Sequence, residues 1–229
     1  MLETNRPVTT LFMIESLDGK ISTGSTDNMD IDKDFPLIAG IKEGLHQYYE
    51  AEQDTDLWSL NSGRTLAKIG INTREFEAEQ SIVSFLVIDN THLTEHGVKY
   101  LSSKLKNLVI ITTNQNHPAF NVREENVELV CQPELNIGEA LQFIKNEYGC
   151  ERITVQTGST LNSEMLRDNL IDYVDIIIAP ALIGGKDTPS LIGGLNLTAS
   201  SQLDLIKTLK LQDCKVLQDS YIRVTYSVE

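Results

Sequence analysis

Four short segments of this chain carry residue types that bind and work on small polar ligands. Ser16-Leu17-Asp18-Gly19-Lys20 sets an acid and a base around a glycine. Held beside a substrate, Asp18 and Lys20 could move a proton or polarise an oxygen, although Asp18-Gly19 is equally a good pair for a type I′ turn. Asn61-Ser62-Gly63-Arg64-Thr65 reads as the opening of a short helix. Such an end presents free N–H groups and partial positive charge, which suit a phosphate, and Arg64 could add a cationic fork. Plain capping by Ser62 accounts for the same residues. Thr112-Thr113-Asn114 offers small donors for a phosphate or ribose, or forms an ordinary strand-end loop. Gln156-Thr157-Gly158-Ser159-Thr160-Leu161-Asn162 runs from strand into helix. Gly158 there permits close backbone approach, and Ser159, Thr160 and the helix start can receive an anion. It is neither a GxGxxG fingerprint nor a Walker P-loop.

Other chemistries find less support. His92-Leu93-Thr94-Glu95-His96 has the form of the inverted zinc-protease pattern. Thr94, however, reads as a helix N-cap, which leaves His92 off the helix, and no third ligand is evident, so no metal is expected. A G-x-S-x-G nucleophile elbow does not occur. Cys131, Cys150 and Cys214 are an odd number at wide spacing and read as buried, inert, reduced thiols.

Charge narrows the partners. The 229 residues hold 19 Lys and Arg against 33 Asp and Glu, a formal net charge of −14. That field repels nucleic-acid phosphates and anionic lipid, so no nucleic-acid or membrane partner is expected, and an anionic ligand needs a local pocket of N–H groups. The longest apolar runs, Leu108–Ile111 and Ile176–Ala179, fall far short of the ~20 residues of a membrane span. Met1–Val8 lacks an apolar signal core, which points to a cytoplasmic protein. With 41% hydrophobic and 23% charged residues and no low-complexity linker, the chain reads as one domain over 1–229.

The elements that must position these segments alternate along the chain. Strands are expected at Val8–Ile14, Asp56–Leu60, Ser84–Asp89, Leu108–Thr112, Val127–Val130, Arg152–Gln156 and Val174–Ala179. Helical spacing links Leu37, Ile41, Leu45 and Tyr48; a short helix covers Ser62–Ile69; Val98, Leu101 and Leu105 share one face. Asn136 is expected to cap a helix bearing Ile137, Leu141 and Ile144, and a short helix near Thr160 places Leu161 and Met165 together. Near-continuous apolar strands between helices indicate a mostly parallel sheet. After the loop Ile183–Gly194, with its two Gly-Gly pairs, Ser200–Asp213 and Tyr221–Val228 have no helix between them and read as an antiparallel hairpin. The four polar segments then fall at strand carboxyl ends, where open α/β sheets bind ligands.

Taken together, RPVTTLFMIESLDGKISTGSTD at 6–27 and VQTGSTLNSEMLRDNLIDYVDIIIAPALIGG at 155–185 resemble the pyrimidine reductase of riboflavin biosynthesis. That reductase is the C-terminal domain of the bifunctional deaminase–reductase. A weaker echo, LTASSQLDLIKTLKLQDCKVLQDSYIRVTY, is similar to the family's last two strands. The resemblance implies a three-layer α/β/α domain of dihydrofolate reductase type, with a mostly parallel mixed sheet and a C-terminal antiparallel hairpin. It also implies an NADPH-dependent reductase that opens the ribose of a phosphoribosyl-aminopyrimidine to a ribityl chain, acting as a homodimer. By the same resemblance Asp18 and Lys20 lie at substrate and nicotinamide. Ser62, Gly63, Arg64 and Thr65 lie under the cofactor phosphates, Thr112 and Thr113 by the adenosine phosphate, and Gln156 with Gly158, Ser159, Thr160 and Leu161 at the pyrophosphate.

The chain departs from the family in three places. Gln156 and Thr157 stand where a glutamate and a glycine are usual. The basic stretch after the first helix is replaced by the acidic HQYYEAEQDTD around His46, and the zinc deaminase half has no counterpart. Two alternatives stay open: a same-fold NADPH reductase of another small molecule, such as a pterin or other carbonyl compound, and a catalytically silent nucleotide-binding module.

Overall fold

A computed structural model describes residues 5–76 and 79–229. In chain order the elements are β1 (Val8–Ser16), α1 (Ile31–Asp34), α2 (His46–Gln53), β2 (Trp58–Ser62), α3 (Gly63–Lys68), β3 (Ser84–Ile88), α4 (Glu95–Lys104), β4 (Leu108–Thr112), β5 (Val127–Cys131), α5 (Ile137–Tyr148), β6 (Arg152–Gln156), α6 (Ser159–Arg167), β7 (Tyr173–Ala179), β8 (Leu209–Val216) and β9 (Ile222–Val228), with 3-10 turns among them. Two compact units divide the chain, 56–157 with the segment up to Val8, and 9–55 with 158–229. No helix among the described residues is long and apolar enough to cross a membrane. Part of Met1–Val8, read above for a signal core, lies outside the described residues.

In the first unit five strands run parallel in the order β5-β4-β3-β2-β6. Every residue of β2 and β4 is buried, which is why LVIIT is a continuous apolar run rather than an alternating one. Leu108, Ile110, Val98, Leu101 and Leu105 form one core on the α4 side; each such side chain contributes about 1.5–3 kcal/mol when fully buried. The helix ends obey local chemistry. Thr94 accepts from Gly97 N–H at 3.1 Å, and Asn136 accepts from Glu139 N–H at 3.0 Å. Gly149 closes α5 in the left-handed conformation (φ 64°), its N–H reaching the Lys145 carbonyl.

In the second unit β1 and β7 are parallel, and β9 and β8 follow antiparallel, so the order is β1-β7-β9-β8. Phe12, Ile14 and Ile177 form a core with Phe35, Ile41, Leu45 and Tyr48, and the Phe12 and Tyr48 rings stack at 5.3 Å. The single helix expected through Leu37, Ile41, Leu45 and Tyr48 is not formed. A 3-10 turn over Phe35–Leu37 gives way to turns, and α2 begins only at His46. Pro36 and the left-handed Gly40 (φ 87°) break the helical path, and Leu37 ends 79% exposed. The C-terminal hairpin is present but starts later than expected, because Ser200–Leu205 is a 3-10 turn. Cys150 is buried as anticipated, whereas Cys131 and Cys214 are exposed, since β5 and β8 end the strand orders of their units and burial needs a covering layer.

Candidate active site

In the second unit, the end of β1 is a tight turn stitched to the loop after β7. Gly19 N–H bonds Ser16 O at 2.8 Å and Ser16 N–H bonds Lys20 O at 2.9 Å. Only Gly19 has positive φ (74°), so Asp18-Gly19 is not the I′ pair; one left-handed glycine after an ordinary turn suffices. Asp18 accepts from Ser16 Oγ at 2.6 Å, Ile183 N–H at 3.0 Å and Gly184 N–H at 2.6 Å. The Ser16 hydroxyl foremost, with these two amides, holds its carboxyl down at about 2. Asp18 is therefore a permanent carboxylate that anchors the glycine loop, not a proton donor. Lys20 sends its ammonium to Thr188 O at 3.0 Å, and its backbone bridges Ser190.

The same loop reaches α6. Gly193 N–H bonds Ser159 O at 3.1 Å, and Asn162 Nδ2 bonds Leu191 O at 2.9 Å. Gly193 and Gly194 are needed there: a methyl on the first would strike Ser159 Oγ, and one on the second would stand 2.6 Å from Ser163 Oγ. Gly158 is the N-cap of α6 and provides no side-chain cap, so the first turn is available to an anion. Thr160 is exposed and Leu161 half-buried. The two Gly-Gly pairs thus link Asp18 and Lys20 to Ser159 through one loop.

In the first unit, the strand ends carry a separate polar group. Ser62 caps α3, accepting from Thr65 N–H at 3.2 Å, and its hydroxyl meets that of Thr65 at 2.8 Å. Arg64 is exposed. Gly63 is buried against Asp89, whose carboxyl occupies the place a Cβ would need. Asp89 follows β3 directly and accepts from Leu93 N–H at 2.8 Å, His92 N–H at 3.0 Å and His117 Nε2 at 2.9 Å. His117 is fully buried, and its Nδ1 accepts from Ala119 N–H at 3.1 Å, which leaves the proton on Nε2 facing Asp89. Burial pushes the Asp89 pKa up, but the His117 bond and the loop amides outweigh it and hold the carboxyl well below the usual carboxylate range.

Asn90 organises the expected threonines. Its Oδ1 accepts from Thr112 Oγ1 at 2.9 Å and Thr113 N–H at 2.8 Å, and its carbonyl accepts from Asn114 Nδ2 at 2.7 Å. Gln156 accepts from Ser59 Oγ at 2.9 Å, and Asn61 Nδ2 reaches the same hydroxyl at 3.0 Å. Among the described residues no peptide bond is cis. The two histidines of the H-x-x-E-H match have separate partners: His92 Nδ1 lies 3.0 Å from Asp89, and His96 Nε2 lies 2.9 Å from Arg74 O. A recess of about 380 Å³ opens at the other ends of these strands, by Trp58, Ser84 and Arg152, away from the polar loops.

Sequence reasoning missed Asp89, Asn90 and His117. An Asp-Asn pair directly after SFLVI was the available signal, since strand carboxyl ends are where polar residues gather for a purpose. His117 had no such signal, because its partner lies 28 positions away in the chain.

Glycine loops and an uncapped helix at strand carboxyl ends stand where open α/β proteins bind their ligands. The sequence pattern of the RibD C-terminal domain matches residues 7–221, and the chain belongs to that family. It is 23% identical over 217 residues to the 2,5-diamino-6-ribosylamino-4(3H)-pyrimidinone 5′-phosphate reductase of Archaeoglobus fulgidus, covering 89% of this chain and 94% of that one. The enzyme of the same name from Methanothermobacter thermautotrophicus is 26% identical over 195 residues, covering 82% and 85%. Among solved structures, Acinetobacter baumannii RibD superposes with a TM-score of 0.67 at 17% identity, over all of this chain and 60% of that chain. The riboflavin biosynthesis reductase Rib7 of Saccharomyces cerevisiae gives 0.61 at 13% identity, over all of this chain and 93% of its own. These likenesses establish the fold as that of the RibD reductases.

Proposed function

We propose that this protein is an NADPH-dependent reductase acting on a ribosylaminopyrimidine phosphate. The observation that carries the reading is the loop that ties Asp18 and Lys20 to the uncapped first turn of α6, within a chain whose family match runs almost end to end. Each unit by itself offers groups that suit part of a nucleotide. The N–H groups of α6 suit a diphosphate, the loop glycines leave no side chain in the way, and Thr112 and Thr113 stand together on Asn90. The cofactor, when bound, supplies the hydride. Lys20 carries a positive charge towards the oxygen that gains electrons, while Asp18 holds the surrounding loop.

The reading extends to a cytoplasmic homodimer. The pairs Leu209–Val228, Leu211–Tyr226, Cys214–Val224 and Val216–Ile222 put apolar side chains on one face of the β8–β9 hairpin, and every β8 residue is exposed. An isologous second copy would cover that face. A second substrate reading is favoured by α2, where HQYYEAEQ carries Glu50 and Glu52 and no Lys or Arg. It is a same-fold reductase whose substrate lacks the phosphate.

Calorimetric titration with NADPH, and NADH as control, tests the cofactor. Following NADPH oxidation with 2,5-diamino-6-ribosylamino-4(3H)-pyrimidinone 5′-phosphate, and with its dephosphorylated nucleoside, then separates the substrates. Binding of neither nucleotide would sink the reductase reading. Binding without turnover of any pyrimidine would leave the silent module.

A further inference from the structure

Glu15 is an anomaly in β1. The strand is otherwise apolar or hydroxylic (VTTLFMIES), yet it ends with a carboxyl one residue before the Ser16–Lys20 turn. In register Glu15 pairs with Ile178 of β7, which pairs in turn with Ile222 of β9, so the β7 side of Glu15 is apolar. Its side chain is half-buried, and among the described residues no hydrogen bond or ion pair reaches its carboxyl. Its position over the turn is given by Gly19, where an added methyl would lie 4.0 Å from Glu15 Oε2. A carboxyl left without a partner on an apolar face costs stability unless it is kept protonated or is used.

We propose that Glu15 is the proton donor of the site, serving the oxygen released from the carbon that is reduced. The inference rests on the reductase reading above. In the ring-opening reduction of a ribosylamine, C1′ gains a hydride and the C1′–O4′ bond breaks. The electron pair of that bond stays on O4′, which takes the Glu15 proton; water then reprotonates Glu15. The substrate is reduced by two electrons and NADPH is oxidised by two. Asp18 cannot do this, being held ionised by three donors, and Lys20 is assigned the supply of charge beside that oxygen rather than of its proton.

Burial alone pushes the Glu15 carboxyl up to about 7, which keeps a large protonated fraction near neutrality. The charged groups of its turn, of the loop after β7 and of α6 are few. Asp18 and Lys20 share its turn, and exposed Lys186 and Asp187 lie on the loop after β7. On α6, Arg167 is tied to Ser163 and Leu195, and Glu164 is itself pushed up by burial. On the β7 side its register partner is Ile178.

The test uses the full chain. Carbon-detected NMR titration of the Glu15 carboxyl in the wild type is expected to give a midpoint near 7. An ordinary carboxylate midpoint would overturn the inference, and this readout needs no turnover. With NADPH and the pyrimidinone ribosylamine phosphate, Glu15→Gln is expected to lower kcat by about 100-fold or more and to abolish the fall in rate above neutral pH. NADPH affinity should stay within about twofold, a split that general misfolding would not produce. Glu15→Asp is expected to keep the pH break with partial activity. If Glu15→Gln retains both the wild-type kcat and its pH break, the donor role is wrong while the reductase reading stands. If the wild type binds NADPH but turns over no pyrimidine, the reading itself fails and the inference falls with it.

Discussion

Asp18 and Lys20 share one turn yet are fixed for different work. Asp18 is ionised at any pH above about 2 because three donors converge on it, so it can contribute no break to a rate profile near neutrality. Lys20 has one carbonyl partner and a charge to offer. Lys20→Met is therefore expected to lower kcat by about 100-fold or more with cofactor affinity little changed, read from steady-state kinetics beside calorimetry. Equal loss of both would remove its role at the reacting oxygen. Asp89 is the stability counterpart. Its native pKa lies below the ordinary 3.8, so its stabilising effect is complete above that value and drains away as the pH falls through the lower native value. Asp89→Ala leaves the buried His117 Nε2–H without its acceptor and should cost about 1–3 kcal/mol in urea unfolding at neutral pH, with the deficit narrowing as acid titrates the wild type. A constant deficit across that range would contradict the assignment.

At the level of elements, glycines decide which pieces approach. Gly63 allows the first turn of α3 to sit directly on Asp89. Gly63→Ala forces the carboxyl aside and is expected to destabilise by about 1–3 kcal/mol, visible as a lower denaturation midpoint. Strand positions were legible because consecutive apolar β-branched residues, as in LVIIT and VDIIIA, have few alternatives to a covered strand. Helix starts were legible at Thr94 and Asn136 because capping is a local bond. The stretch from Leu37 to Tyr48 was misread because its spacing suits a helix while Pro36 and Gly40 forbid a continuous one. Spacing reported that Ile41, Leu45 and Tyr48 turn inwards, but neither that Leu37 stays exposed nor the backbone path between them.

At the scale of the whole molecule, a net charge of −14 sets up a field that opposes polyanions. The apolar face of β8 and β9 is the opposite kind of surface, one that a second copy would take out of water. Leu211→Lys together with Val216→Glu should shift the protein from dimer to monomer in sedimentation velocity. A wild type that is already monomeric at micromolar concentration would remove the dimer from the proposal.

Sequence alone determined the strands, the capped helices, the parallel architecture with its closing hairpin, and the loops in which polar chemistry gathers. Those features depend on residues close in the chain or on simple periodicity. Tertiary structure decided what each polar side chain does. Asp18 became an anchor only because the Ile183 and Gly184 amides come to it from 165 and 166 positions away. Glu15 became the unpartnered acid because β7, 163 positions away, presents Ile178 beside it rather than a donor. A side chain's protonation and partners depend on desolvation and on donors brought in from distant strands, and no local pattern encodes either.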